Sequence, residues 1–333
     1  MDFSFEFKFD DKSDPFRDPE DPLRPKANDF RFENDSTDAQ LVRGQLSSYA
    51  AALSGCQFRA HIFCILVCGK YARFIRWDRA GAIVTRRFDY VNQPHLADFF
   101  WRYNHLDLGQ QGYDTSVSSP TPKDIQQIHN FESRLRDVED ANPAHREFRL
   151  LMVPDRDKPQ VEKRFIVSFP PKYTARSPFG RATRPMLAFD IEMEEVVFLK
   201  DYWRADVDGM VKEGEIYTLL ESHHVPNIPP FGQGNDVRDH ATLTHTLRNE
   251  NWACWTKDMV VLKHYRISLD VIGRPLTSFF SSREFVGAMA DAMEGKDSFA
   301  NSNLITNYLF PQRINMPTSM LVSFIVTSAQ VIS

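Results

Sequence analysis

Two series of strand-like segments, each set beside helix-like segments, constrain the fold of this chain more than any other feature. The longer series has four segments between residues 148 and 203, namely FRLLMV, KRFIVSF, MLAFDI and EEVVFLKDYW. Strands that follow one another without an intervening helix are typical of antiparallel sheets. Because helix-like segments flank these runs rather than alternate with each strand, we predict an α+β fold.

The shorter series lies in a compact unit at residues 41–108. Its segments FRAHIFCILVCG, YARFIRWD and AIVTRRFDYV are separated by the turn signals GK and DRAG, which predicts a three-strand antiparallel meander. Apolar residues at helical spacing precede it in LVRGQLSSYAAALSG and follow it in PHLADFFWRYNHL. A further helix is predicted over KDIQQIHNFESRLRDVEDAN, and the whole forms a predicted N-terminal α+β region at residues 41–145.

The two ends differ in composition from the rest of the chain. Residues 1–40 mix acids, prolines and phenylalanines, and DDKSDPFRDPEDPLRPK is typical of extended, solvated chain. Although FSFEFKF alternates as a strand would, we predict an acidic disordered arm over residues 1–40. Residues 295–333 are rich in Asn, Ser and Thr, and we predict that they form a poorly ordered tail unrelated to the preceding domain.

Charge and apolar patterning argue against several classes of function. A net charge of −5 gives no electrostatic footprint for nucleic acid. The four cysteines follow no disulfide or CxxC pattern, and no signal peptide begins the sequence. The only dense apolar run in the last twenty residues, MLVSFIV, is too short to span a bilayer. We therefore predict an intracellular protein, cytoplasmic or nuclear and not secreted, with no membrane and no nucleic acid as partner.

A lysine near the end of an apolar strand segment is the first candidate for chemistry. The segment VVFLK ends at Lys200, and a helix-like segment follows at about residues 208–223. Glu215 stands beside the predicted inward stripe that begins at Ile216, so we predict it as the partner of Lys200, with Glu213 as the alternative. A carboxylate partner keeps a partly buried ammonium charged. On this spacing alone, a strand lysine facing water remains the other interpretation.

Six blocks in one order extend this observation over most of the chain: LVRGQLSSYAAAL, GKYARFIRWDRAGAIVTRRFDY, GRATR, FLKDYWR, EGEIYTLL…VPNI and HYRISLDVIGRPLTSF. Together they resemble the fungal-type protein kinase family, in which a family-specific α/β region precedes a divergent kinase domain. The resemblance covers about residues 41–294. It implies that residues 146–294 form a kinase-like N-terminal lobe with an antiparallel sheet, a hinge and the first helix of the C-terminal lobe.

The resemblance implies a phosphate-binding role for three elements. In protein kinases a strand lysine grips the nucleotide phosphates and a helix glutamate holds that lysine, which assigns these roles to Lys200 and Glu215. SPFGRATR matches the phosphate-covering loop, with Gly180 as the matching glycine. Ala182 stands where family members usually have a second glycine, and this departure weakens a tight cover over the phosphates.

The resemblance also implies an adenine site in SLDVIG, which matches the hinge. Main-chain groups near Asp270 and Ile272 would meet an adenine edge, and Leu269 would guard the back of the pocket. A complete family member would use ATP and Mg²⁺ to phosphorylate Ser or Thr of a protein substrate.

The catalytic motifs of a kinase are missing after this hinge. Neither a His-Arg-Asp loop with its asparagine nor an Asp-Phe-Gly motif follows Pro275, so no residue is assigned as catalytic or as a metal ligand. The interpretation is a chain truncated before the catalytic loop, inactive in phosphoryl transfer and at most weakly nucleotide-binding. The alternative is a non-enzymatic interaction module, whose uncovered N-lobe surface binds a protein partner.

The segment HIFCILVC contains a second group of residue types that can bind a metal, namely one histidine and two cysteines. Cys64 and Cys68 share one face of a strand whereas His61 points to the other. We therefore predict a buried strand at this segment rather than a zinc site.

Overall fold

The structure, a computed structural model, describes residues 3–20, 30–135, 147–171, 175–253, 259–273 and 278–301. Within these residues the chain is a mixed α+β protein in which the strands form two sheets. In the same described part, no helix is long and apolar enough to cross a membrane.

The first sheet contains five strands among the described residues. In chain order its elements are β1 (Phe3–Lys8), α1 (Thr37–Cys56), β2 (His61–Cys68), β3 (Tyr71–Asp78), β4 (Gly81–Val84), β5 (Phe88–Asp89) and α2 (His95–His105). The order across the sheet is β1-β2-β3-β4, and β5 also pairs with β3. β2, β3 and β4 are consecutive antiparallel neighbours between the two helices, as the turn signals GK and DRAG predict.

Side chains alternate between the two faces of β2, so α1 packs on one face of this sheet and α2 on the other. Cys64 and Leu66 of β2 pack in one buried cluster with Leu46 of α1. Ile65 and Val67, which point to the opposite face, are buried in a second cluster against α2. Both faces of β2 are therefore covered, which accounts for its continuous apolar sequence. Cys64 and Cys68 are buried there without a disulfide.

The prediction of a disordered arm over residues 1–40 is wrong for its described parts. FSFEFK forms β1, which pairs in parallel with β2 from Phe3–Phe63 to Lys8–Cys68. Behind it Phe16 is buried in the cluster that contains Leu46. α1 also begins at Thr37, capped by the Ser36 side chain, rather than at residue 41. The acidic composition suggested solvation, but Asp14 and Asp18 both pair with one buried arginine of β3, Arg73.

The second sheet contains seven strands among the described residues. Its elements are β6 (Val117–Ser118), α3 (Pro122–Ile128), α4 (Glu132–Leu135), β7 (Glu147–Pro154), β8 (Glu162–Phe169), β9 (Arg184–Asp190), β10 (Glu195–Ala205), α5 (Glu213–Ser222), β11 (Phe231–Ala241), β12 (Leu262–Leu269) and α6 (Ser282–Asn301). The strand order is β11-β12-β10-β9-β8-β7-β6. All its pairs are antiparallel.

This sheet curls until its two ends approach each other. Arg156, just after β7, donates to the carbonyl oxygen of Phe231 at the start of β11, at 2.8 Å. One part of the enclosed inner face is apolar and includes Phe165, Val167 and Leu199. The outer face is covered by α5 at one end and by α3 and α4 at the other. Alternation along β10 therefore assigns Leu199 to the inner face and Lys200 to the outer face.

The boundary between the N-terminal region and the region of the second sheet lies earlier in the chain than the predicted division at residue 145. β6 pairs with β7, and Ile128 and Leu135 pack against Phe189 of β9. Residues 117–135 thus belong with the second sheet. The helix predicted over KDIQQIHNFESRLRDVEDAN is two short helices, and its last part lies outside the described residues.

Three further elements differ from the prediction. The helix expected at residues 208–223 is shorter, because α5 begins at Glu213. A strand that the sequence did not predict follows it, since FGQGNDVRDHA forms β11 with two register shifts against β12. α6 continues to Asn301, beyond the expected helix end near residue 294, and residues 302–333 lie outside the described part.

Candidate functional site

Lys200 lies at the centre of the outer face of the second sheet. It stands opposite Pro185 of β9 and Ile267 of β12, so neighbouring strands surround it on both sides. Its Nζ lies 2.8 Å from Oε1 and 2.9 Å from Oε2 of Glu213, the first residue of α5. Both side chains are largely buried, with 13% and 6% exposed. A symmetric, shielded contact of this kind holds the ammonium in one place.

Two further groups contact the same carboxylate. The Tyr202 hydroxyl donates to Glu213 Oε2 at 2.7 Å. Burial, followed by the charge of Glu213, raises the pKa of Tyr202 well above its usual range, so the phenol stays a neutral donor. Arg181 Nη2 lies 3.8 Å from the same oxygen, and its guanidinium sits 4.8 Å above the Tyr202 ring. Two cations therefore share one carboxylate, which leaves the cluster with a net positive charge.

The predicted partner of Lys200, Glu215, does not contact it, and the prediction is wrong on this point. Glu215 is the third residue of α5, where its carboxylate accepts from the backbone N–H of Lys212 at 3.4 Å in a capping box. It is exposed, whereas Glu213, Tyr217 and Leu220 form the buried stripe. The buried face of α5 is therefore rotated by about one residue from the predicted stripe that begins at Ile216. Glu213, the predicted alternative, is the partner of Lys200.

Gly214 lets α5 approach the sheet this closely. A Cβ at this position would lie 2.7 Å from both Phe231 Cζ and Tyr265 Oη. The Gly214 N–H instead donates to the Tyr265 hydroxyl at 2.9 Å, which satisfies one of the free donors at the helix start. The glycine that makes this helix intrinsically weak thus also sets the distance between Glu213 and Lys200.

The predicted phosphate-covering loop connects β8 to β9 and contains two left-handed residues. Gly180 has φ +81° and Ala182 has φ +44°. Ala182 thus has the backbone conformation that favours glycine, at a cost of about 1–2 kcal/mol for a residue with a Cβ. This finding explains why a glycine suits the position. A Cβ on Gly180 would meet nothing within 4 Å, so the loop is open around it.

The first sheet holds this loop from outside. Arg79, in the turn between β3 and β4, donates to the Pro178 carbonyl at 3.1 Å, and its own carbonyl accepts from Gly180 N–H at 2.9 Å. Phe179 stands 5.4 Å from the Trp77 ring. Burial, together with nearby Arg184, lowers the pKa of Arg79 to about 9. The position of Gly180 and Arg181 therefore depends on contacts with the N-terminal region.

The predicted hinge residues follow directly from β12. Leu269 is buried opposite Phe198, two residues along the same face from Lys200 and Ile267. The Asp270 N–H donates to the Pro230 carbonyl at 3.1 Å, and burial, with Asp190 nearby, raises the pKa of its carboxyl. Ile272 is exposed. Residues 274–277 lie outside the described part.

The structure thus brings Lys200, Glu213 and Leu269 onto one face, and the Gly180 loop reaches this face through Arg181. Arg181 was not among the predicted site residues, although it stands in the block GRATR. A cluster of Asp114, His240 and His264 on the inner face was not predicted either. The pattern around these three residues gave no signal, since they lie far apart in the sequence.

A family model described as fungal protein kinase matches residues 29–307. No curated protein and no solved structure gives a match.

Proposed function

Because this chain belongs to the fungal protein kinase family, we propose that its outer-face cluster binds the phosphates of a nucleoside triphosphate without transferring one. The observation that carries the proposal is the contact of Lys200 Nζ with both oxygens of Glu213, at 2.8 and 2.9 Å. Counting from β8, Lys200 is on the third strand and its glutamate is on the next helix, which is the kinase arrangement.

Charge supports a phosphate ligand at this place. Lys200 and Arg181 together carry two positive charges against the one carboxylate of Glu213. Arg181 is half-exposed, so its guanidinium can turn toward an incoming phosphate while Lys200 stays fixed. A planar guanidinium and a compact ammonium are both common phosphate ligands. ATP therefore fits the donor set of this cluster.

Mg²⁺ fits this chain less well. In protein kinases two metal ions are held by an aspartate and an asparagine from motifs beyond the hinge, and the sequence contains neither motif there. Phosphoryl transfer depends almost wholly on positioning and on these metal charges. We therefore propose that nucleotide binding by this chain does not depend on Mg²⁺ and that this chain does not phosphorylate a substrate.

Lys200→Met is expected to abolish stabilisation by nucleotide. Wild type should gain about 2.7 kcal/mol at an ATP concentration of about 100 times Kd, which is a rise in Tm of a few degrees. The measurement is a thermal-shift titration with ATP, run with Mg²⁺ and with EDTA. Arg181→Met should weaken binding without disturbing the buried pair, and Lys158→Met is the matched control because Lys158 is exposed on the β7–β8 link.

No shift for wild type would contradict nucleotide binding, as would an equal shift in the Lys200 and Lys158 variants. A shift that requires Mg²⁺ would contradict the metal-independent form of the proposal. Since Lys200→Met leaves Glu213 buried without its main cation, the Arg181 variant keeps the test valid if the first variant is unstable.

A second candidate is a protein-interaction module, and one surface favours it. Around α6, Phe280 is 86%, Val286 62% and Met293 61% exposed. Val286 and Met293 lie seven residues apart and so share a helix face, whereas Ala288 and Ala292 face the fold. We propose that a protein partner covers this apolar surface in the assembled state.

Without such a partner, the purified chain is expected to self-associate as its concentration rises. The double variant Phe280→Ser, Val286→Ser should reduce that association, measured by light scattering over a concentration series. Leu41→Ser, which changes an exposed leucine of α1, is the control. A chain that stays monomeric at high concentration would contradict the proposal.

A further inference from the structure

A cluster of three potential ligands lies on the inner face of the second sheet, away from Lys200. Asp114 precedes β6, His240 is near the end of β11 and His264 is on β12. The three side chains form a triangle in which one ligand atom from each lies within 4.8 Å of the others, and Asp114 offers a different oxygen to each histidine. His240 Nδ1 is 3.2 Å from His264 Nδ1, and the two carboxylate oxygens of Asp114 lie 3.6 Å and 3.7 Å from these nitrogens.

These separations match the edges of a metal coordination shell. Zn²⁺ binds imidazole nitrogen and carboxylate oxygen at about 2.0–2.2 Å, so two ligand atoms at a tetrahedral angle lie about 3.3–3.5 Å apart. The closest separations between the three side chains, from 3.2 to 3.7 Å, are near that value. An ion placed between the two imidazole nitrogens and the Asp114 carboxylate would have all three side chains within reach.

Neighbouring groups fix the orientation of two of the donors. His264 Nε2 bonds to the carboxylate of Asp201, so His264 presents the lone pair of Nδ1 to the triangle when Nε2 carries the proton. The indole of Trp203 stacks on the His264 ring, with 4.9 Å between centroids and 6° between planes. A carboxylate that holds the remote nitrogen of a histidine is the usual support of a metal-bound imidazole.

The carboxylate of Asp114 is also fixed in its orientation by neighbouring groups. One of its oxygens accepts from the Ser116 N–H at 3.0 Å, and the other lies 2.6 Å from Arg266 Nη2. Asp114 and His264 are fully shielded, whereas the His240 side chain is 12% exposed. The His240 side therefore offers the path by which an ion would enter.

We propose that Asp114, His240 and His264 form a binding site for a divalent transition-metal ion of the Zn²⁺ class. Two imidazoles and one carboxylate select such an ion over Mg²⁺ or Ca²⁺, which prefer oxygen ligands alone. The site is independent of the nucleotide cluster, because alternation along β10 and β12 directs it to the opposite face of the sheet.

The surrounding charges set the strength of binding. Asp114 and Asp201 are balanced by Arg266 and Arg184, which form ion pairs with them at 2.6 to 3.1 Å. A dication would therefore enter a network that is already neutral, and its affinity is expected to be weaker than that of a structural zinc site with thiolate ligands. A hydrogen bond between His240 and His264 is the competing explanation of their 3.2 Å separation.

Isothermal titration of the metal-free full chain with Zn²⁺ tests the proposal. We expect one saturable equivalent, and we expect Co²⁺ to give the intense visible absorption of a tetrahedral site. His240→Gln, at the half-buried position, should lower the affinity at least tenfold, because even outer-shell changes cost about 10–100-fold. His245→Gln is the matched control, since His245 is five residues away on the 3-10 helix Thr244–Asn249 and outside the triangle.

Cys56→Ser tests the other source of zinc affinity, an exposed thiol. It should leave both the stoichiometry and the Co²⁺ spectrum unchanged. The absence of a one-equivalent phase would overturn the proposal in favour of the histidine hydrogen bond. An affinity that survives His240→Gln, or one that disappears in Cys56→Ser, would overturn it equally.

Discussion

Asp201→Ala is expected to destabilise the chain by about 3–5 kcal/mol, because it leaves buried arginines without their counter-charge. Asp201 is fully buried on the inner face of β10. Its oxygens lie 2.6 Å from Arg184 Nη2 and 3.1 Å from Arg266 Nε, and a further bond joins it to His264. Burial alone would raise its pKa, but these three neighbours hold the pKa of Asp201 well below its usual range.

The asymmetry of buried ion pairs decides the size of this effect. A complete network can be close to neutral in its contribution to folding, whereas removal of one partner leaves uncompensated charge in a medium that solvates it poorly. Asp201→Asn should cost less than Asp201→Ala, since the amide oxygen still accepts a hydrogen bond.

Urea unfolding monitored by tryptophan fluorescence measures this effect, given that Trp203 lies beside Asp201 and stacks on His264. Asp208→Ala is the control, because Asp208 is exposed in the turn before α5, and its effect should stay within about 0.5 kcal/mol. A loss below about 1 kcal/mol for Asp201→Ala would mean that water or a rearranged neighbour compensates the two arginines.

Local sequence patterns were sufficient to predict the strand that contains Lys200 and the three-strand meander of the first sheet. Apolar runs bounded by turn signals depend on short-range sequence, and β2, β3 and β10 show them clearly. The position of Lys200 on the third strand from β8, before a helix, follows from the same order of elements. These patterns do not determine which face of a short helix is buried.

The choice between Glu213 and Glu215 illustrates this limit. A ten-residue helix has few periods, and Tyr217 outweighs Ile216 and Leu219 only because the sheet offers it an aromatic cluster. Gly214 then brings that face closer still. The spacing of Glu213, Tyr217 and Leu220 fits a buried stripe as well as the predicted one did, so sequence alone left both choices open.

β11 and the inner-face network were missed for a different reason. FGQGNDVRDHA lacks an apolar run because much of its inner face holds polar partners rather than core. Arg266 bonds to Asp114, 152 residues earlier, and His264 bonds to Asp201, 63 residues earlier. In the sequence each of these residues is typical of a solvent-exposed face, and only the curled sheet brings the opposite charges together.

Asp14→Ala is expected to destabilise the first sheet by about 3 kcal/mol, because Asp14 neutralises a buried arginine. Arg73 of β3 is fully buried, and its Nε lies 3.0 Å and 2.8 Å from the two oxygens of Asp14. Its Nη1 donates to Asp18 at 2.7 Å. If residues 1–40 were solvated chain, as predicted, Arg73 would have neither of these two carboxylate partners.

The same variant distinguishes an ordered N-terminal segment from a disordered arm. If residues 3–20 were solvated, Asp14→Ala and Asp11→Ala would both be neutral in urea unfolding. Given the described contacts, only Asp11→Ala should be neutral, because Asp11 is exposed. The variant Arg73→Met should recover part of the stability of Asp14→Ala, since an apolar side chain needs no counter-charge there. Recovery in that double variant would assign the loss to the unpaired guanidinium, and a purely additive loss would assign it to disrupted packing around Phe16.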